Sequence, residues 1–417
     1  IFCKHVSTPQ HRPSTAASSR SASPSRSKTL FSRMLLIGSS LSILVLVGYL
    51  VLPYLLPPPD ISRPLDPEGM DPAVAALVTP MMEAVEASPR APMLRATLGM
   101  AYEANALWPE ARQSFANAAK LEKGKMAWHL HHAMATREVG EIPEALELLK
   151  DTAVRFPGAA AAYHRLAEAL VEQGDLEGAY SAYKRVVKLV PRLPQGYVGL
   201  SDILLQRGDV DGAIQMAEAA LEVQPGYRHA EYVLEQAYRQ SGRTLQASLS
   251  HAASVAPRVE YVPDPITNKV LTFVVNVTDR ISMAQALLDQ GRPKAAAELL
   301  EETYLYHPNH LMLVNTLAVA YMRTKRPADA ERLLKQALRM DESAFYTHLN
   351  LYQLALRQTE IDKALMHADK AIECAPDRDD THLARAQALL ELNRIEEAAT
   401  SAQQARERGP QHAANFG

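Results

Sequence analysis

Cysteine is almost missing from this chain. Cys3 and Cys374 are the only two in 417 residues, too few for a disulfide framework, a zinc knuckle or a haem-attachment pair. Glycine-rich phosphate loops and nucleophile elbows are also missing, and no segment is left over for a separate catalytic domain. The expectation is a protein without enzymatic activity, cofactor or small-molecule substrate. A basic face is lacking too. Net charge is −3, and the first 33 residues hold six basic side chains and no Asp or Glu, so the rest of the chain is more acidic than that figure suggests. Nucleic acid, which needs clustered positive charge, is not an expected partner. Cys374 falls within a helical pattern and reads as a small buried hydrophobe.

Long apolar runs are absent except at one place. Residues 34–56, MLLIGSSLSILVLVGYLVLPYLL, carry no charge and are long enough to cross a hydrocarbon core of ~30 Å. A transmembrane helix is expected there. Residues 1–33 form a basic, Ser-rich segment without helical or strand period, read as a disordered tail. Basic residues before the span and none immediately after it predict a cytoplasmic amino terminus, with everything downstream periplasmic or otherwise extracytoplasmic. A Ser/Arg-rich leader also suits a mitochondrial inner-membrane protein, and Met34 is a possible start that would remove the evidence for orientation. Residues 57–71 are proline-studded and read as a stiff linker holding the next domain off the bilayer.

The remainder is repetitive. GDLEGAYSAYKRVVKLVP at 174–191 returns as GDVDGAIQMAEAALEVQP at 208–225. Alanines recur every 34 residues, at Ala111, Ala145, Ala179, Ala213 and Ala247, then at Ala296, Ala330, Ala364 and Ala398. Glycine stands five residues before several of them, at Gly140, Gly174, Gly208, Gly242 and Gly291, where one helix must stop and a turn begin. Proline recurs twelve residues after, as at Pro157, Pro191, Pro225, Pro308 and Pro376. Apolar residues between these marks fall three and four apart, so each unit is a helix pair.

This pattern resembles the tetratricopeptide repeat: Leu98, Gly99, Tyr102, Ala111, Phe115 and Ala118 match its marks in the first unit, and Tyr163, Leu166, Ala179, Tyr183 and Pro191 in the third. The resemblance implies an all-α solenoid, a right-handed superhelix of helix hairpins. Five units are expected over 92–256 and four over 277–410, with a partial, capping unit at 72–91 and a short tail at 411–417. One unit cannot bury its own apolar face, whereas stacked units share a continuous core and leave an extended concave wall. The resemblance further implies that outward positions of each first helix line that wall: His164, Glu168, Asp202, Tyr232, Gln236, Arg239, Gln285, Asn315, Arg323, Tyr346, Asn350, Gln353, Arg357 and Gln387. Such a wall suits extended peptide segments of a protein partner. It is expected to stay open along its length.

The register breaks once. Ala247 and Ala296 are 49 residues apart, and the extra material lies in 257–276. Asp264-Pro265 reads as the cap and first turn of one long helix over about 265–289; the β-branched run VLTFVVNV also suits a strand. The insertion is either a spacer between the two blocks or a protruding interface presenting Tyr261, Ile266 and Phe273. His129 and His132 in WHLHH are three apart and would share a helix face, but no third ligand accompanies them, so no metal is expected. The functional expectation is a membrane-tethered scaffold that binds proteins, an assembly factor for a membrane or envelope complex. Its alternatives are a permanent accessory subunit of such a complex and a mitochondrial inner-membrane assembly protein.

Overall fold

The computed structural model describes residues 57–64, 66–243 and 262–409. The expected tail at 1–33, the membrane span at 34–56, Tyr261 and residues 411–417 lie outside the described residues, as does everything after Arg243 in the fifth unit up to the insertion. No described helix is long and apolar enough to cross a membrane. The described residues from Asp60 onward belong to one compact unit. Its described secondary structure is nineteen helices with no strand.

A leading helix α1 (Pro72–Ala87) is followed by hairpins: α2 (Pro92–Ala104) with α3 (Trp108–Leu121), α4 (Met126–Glu138) with α5 (Ile142–Arg155), α6 (Ala160–Glu172) with α7 (Leu176–Leu189), and α8 (Pro194–Gln206) with α9 (Val210–Val223). The fifth unit contributes α10 (Arg228–Gln240). After a short α11 (Thr267–Leu271), four more hairpins follow: α12 (Val277–Asp289) with α13 (Pro293–Tyr304), α14 (Leu311–Arg323) with α15 (Pro327–Met340), α16 (Phe345–Arg357) with α17 (Ile361–Cys374), and α18 (Asp379–Glu391) with α19 (Ile395–Arg408).

The repeated GDxxG phrase explains the hairpin turn. Gly174 and Gly208 sit at φ +77° and +80°, conformations that end the first helix, and the next residue, Asp175 or Asp209, accepts a hydrogen bond from the amide of Gly178 or Gly212 to cap the second. A Cβ on Gly178 would stand 2.4 Å from Asp175 Oδ2, so glycine keeps the cap in place. Among the described residues the register alanines are enclosed where paired helices cross, as at Ala111, Ala179, Ala296 and Ala364. A larger side chain there would force the pair apart at about 1–3 kcal/mol. Cys374 is unbridged and half-buried rather than enclosed.

Two expectations fail at the joints. Part of the 57–71 segment is no spacer, because it is bound to the first unit. Arg95, 2% exposed, donates to Asp60 O (2.8 Å), Asn117 Nδ2 donates to the same carbonyl (2.9 Å), and Tyr102 Oη donates to Ser62 O (2.9 Å). Second, the long helix over 265–289 is broken. The chain leaves helical geometry between Leu271 and Val277, and Asn276 caps α12 by accepting from Asp279 N at 2.9 Å. Asn105, at the end of α2, holds the break open. Its Nδ2 donates to Phe273 O (2.8 Å), and its Oδ1 accepts from Val275 N (3.0 Å) and Asn276 N (3.1 Å). Those backbone groups have a side-chain partner in place of the helical ladder.

Candidate functional site

The first helices of the units form the face that is concave in an array of this kind. Over the first two units it is not open. Ile266 and Val270 are buried in the apolar cluster built by α1 to α4, with Phe273 packed against that cluster. Val262 is buried in the next cluster, with Leu130 and Leu166. The described part of the insertion, residues 262–276, is therefore neither a protruding arm nor a free ridge. Its two described interface candidates, Ile266 and Phe273, turn inward because the branched side chains of the insertion find apolar seats on the chain's own repeats. The wall expected to run open throughout is filled at this end.

The polar anchor of the insertion is His131, which is 1% exposed in its side chain. Its Nδ1 lies 2.6 Å from Glu103 Oε2, and its Nε2 lies 3.2 Å from Asp264 Oδ1. Burial opposes a charged imidazole, but the two carboxylates outweigh burial and raise its pKa to about 9. Burial alone would raise Asp264; bonds from His131, Thr267 and Ile266 N hold it below the usual carboxylate range. The neighbouring histidines behave differently. Burial, then Arg112, lowers His132 to about 4, and His129 lies 3.1 Å from Lys123 O. Among the described residues no group of three or more such side chains is placed to hold a metal ion.

Further along, the face opens into a cleft of ≈ 260 Å³ on α6, α8 and α10. His164, Glu168 and Asp202 line it, three of the fourteen wall residues expected from sequence, together with Arg137, Glu172, Gln195 and His229. Tyr183 forms its floor. Gly199 makes room for that ring, since a Cβ there would meet Tyr183 Cε1 at 2.3 Å, and His164 meets the ring edge-on at 5.6 Å between centroids. Burial, followed by the charges of Glu168, Asp202 and Glu172, keeps the Tyr183 phenol protonated. Arg137 reaches Glu172 at 2.7 Å and His229 reaches Asp202 at 3.1 Å. Gln195 Oε1 is shielded from solvent and accepts no hydrogen bond from any described residue. Glu168 lies 3.4 Å from Arg165, so each cleft carboxylate is met by a basic side chain and keeps lone pairs for further donors.

The other expected wall residues do not gather into one site. Tyr232 and Gln236 are half-buried on α10, and Arg239 pairs with Glu235. In the second run, Asn315 is buried. It donates to Thr347 Oγ1 (3.0 Å) and accepts from Asn350 Nδ2 (3.0 Å), a bridge between α14 and α16 rather than an offer to a peptide. Arg323 donates to Leu288 O at 2.7 Å, Gln387 accepts from Tyr352 Oη at 2.9 Å, and Tyr346 meets Phe345 edge-on. Gln285, Gln353 and Arg357 are exposed. Glu103, Asn105, His131 and Asp264 were not legible as a group. WHLHH marked the right stretch, but periodicity selected the two outer histidines, and nothing local tied His131 to an aspartate 133 residues away.

Fold and wall together define a helical-repeat protein. Tetratricopeptide-repeat models match residues 130–194 and 383–417, 194–227 and 287–345. Over these residues the chain consists of tetratricopeptide repeats. No curated protein matches it. Similar solved structures include a tetratricopeptide repeat protein from Parabacteroides merdae (12% identity, 76% of this chain and 99% of that one, TM-score 0.33). PilF of Pseudomonas aeruginosa is 18% identical over 53% of this chain and 93% of its own (TM-score 0.29). YrrB, described as a TPR protein with an unusual peptide-binding site, is 14% identical over 56% and 96% (TM-score 0.27).

Proposed function

We propose that this chain is a membrane-tethered scaffold that binds another protein through the cleft on α6, α8 and α10 and serves the assembly of a membrane or envelope complex. The observation that carries the reading is the cleft itself. It is a concave site on a repeat wall, lined by Glu168, Glu172 and Asp202 against Arg137, with Tyr183 held neutral beneath them. Acceptors of this kind suit a partner segment that presents amide and cationic donors. The uncharged stretch 34–56 supports the tether, and the acid-free basic leader supports a cytoplasmic amino terminus with the repeats on the far side.

The test is site-specific photo-crosslinking in intact membranes, with the crosslinker at Gln206 on the cleft edge or at Lys188 on the second helix α7. A discrete adduct at Gln206 that disappears when Glu168→Gln, Glu172→Gln and Asp202→Asn are combined supports the reading. Equal adducts from Lys188, or adducts indifferent to the neutralised cleft, contradict it. Alkaline extraction tests the tether: the full chain should stay with the membrane, and a chain starting at residue 57 should not.

A further inference from the structure

Residues 262–276 lie outside the 34-residue period, and their contacts with the first two units are of the kind that grips a peptide. Asn105 reads backbone, pairing with one carbonyl and two amides of the segment (2.8–3.1 Å). His131 reads a carboxylate. With Glu103 on its other nitrogen, it is a charged donor aimed at Asp264 from inside the fold. Ile266 and Val270, two and six residues after Asp264, fill apolar seats and are 5% and 7% exposed. The opposite side of the segment, at Lys269, Leu271 and Thr272, faces solvent. Its only regular structure is the five-residue α11. Joining consecutive repeats requires none of this, because every other described join is made by a turn of a few residues. An extra loop could simply run over the surface.

We propose that the face of α2 and α4 is a peptide-recognition groove for a segment with an aspartate followed two and six positions later by branched apolar residues. Residues 262–276 are its resident ligand, exchangeable for a partner segment of the same chemistry. The groove is separate from the cleft on α6, α8 and α10 and does not depend on it.

The experiment is fluorescence anisotropy with a labelled synthetic peptide of residues 262–276 and the full chain. In a chain carrying Asp264→Ala, Ile266→Ser and Val270→Ser the resident segment loses its carboxylate and both apolar anchors while the groove keeps its own residues, and the peptide should bind saturably. Wild type should bind at least about tenfold more weakly, because a tethered competitor acts at millimolar effective concentration. Binding should disappear when the peptide's own aspartate is replaced by alanine, and when His131→Ala is added to the chain. The milder Asp264→Asn chain keeps both apolar anchors seated and should give an intermediate affinity. It decides the matter if circular dichroism shows the triple variant unfolded. No binding to any folded chain, or binding indifferent to the peptide's aspartate and to His131, overturns the proposal.

Discussion

At the turn inside each hairpin one residue takes φ near +60° to +95°, and the nine such positions are 34 apart within each run: Ala106, Gly140, Gly174, Gly208 and Gly242, then Gly291, Lys325, Thr359 and Asn393. Four of them are not glycine. An L-residue there is disfavoured by about 1–2 kcal/mol, and a β-branched one is worst placed. Thr359→Gly should therefore raise the thermal midpoint, by about 1 kcal/mol in stability, whereas Gly174→Ala should lower it by a similar amount. No atom stands within 4 Å of a Cβ added at Gly174, so backbone conformation is the only cause in play there. Thermal unfolding followed by circular dichroism checks both. His131 supplies the pH dependence at this scale. It faces Glu103 on α2, Asp264 on the insertion and the ring of Phe115 on α3 at 5.3 Å. Its folded pKa, about 9, is above the ordinary histidine value. The grip it provides is thus complete below about 6.5 and is lost as pH rises through 9. Tryptic cleavage after exposed Lys269 should accelerate between pH 8 and pH 10 relative to a general peptide substrate. In His131→Ala that acceleration should vanish, leaving fast cleavage throughout.

Helices were legible because each hairpin carries its own instructions: glycine or a tolerated substitute at the turn, alanine at the crossing, apolar residues three and four apart. What those instructions omit is anything that comes from another unit. The steps from Ile266 through Phe273 to Ile281 keep helical spacing, yet the helix breaks, because Asn105, about 170 residues away in sequence, takes the backbone groups. Similarly, the three wall residues that share a cleft do so because Gly199 allows the Tyr183 ring to lie under them, a contact between neighbouring units that repeat register does not encode. Gly199→Ala should displace that ring and cost about 1–3 kcal/mol. The near-ultraviolet circular dichroism of the folded variant should change with Tyr183. An unchanged spectrum and midpoint would mean that the ring is not seated against α8.

In the whole molecule the second run of repeats is joined to the start of the first. Asp71 caps α1 through Ala73 N and Val74 N, and the same carboxylate meets His307 Nε2 (3.0 Å) and accepts from Val277 N (3.3 Å). Asp71→Ala removes a cap that contributes about 1 kcal/mol on its own, together with both links to the second run. The variant should keep its helical content but unfold in two resolved calorimetric transitions, since repeat arrays lose cooperativity when an interface weakens. Sequence placed the two runs and the insertion between them. It could not place the insertion on the wall, since that depends on side chains from α1, α2 and α4 meeting residues that follow them by more than a hundred positions.

The central claim is that residues 262–276 are seated on the first-helix face and held there by Asn105 and His131, while the cleft beyond them stays open. Amide hydrogen exchange on the full chain tests it most directly. The account predicts that Ile266–Asn276 exchange far more slowly than in the isolated peptide. Asn105→Ala should abolish that protection while the helices from α14 to α19 keep theirs. Peptide-like exchange of 266–276 in the unaltered chain would contradict it.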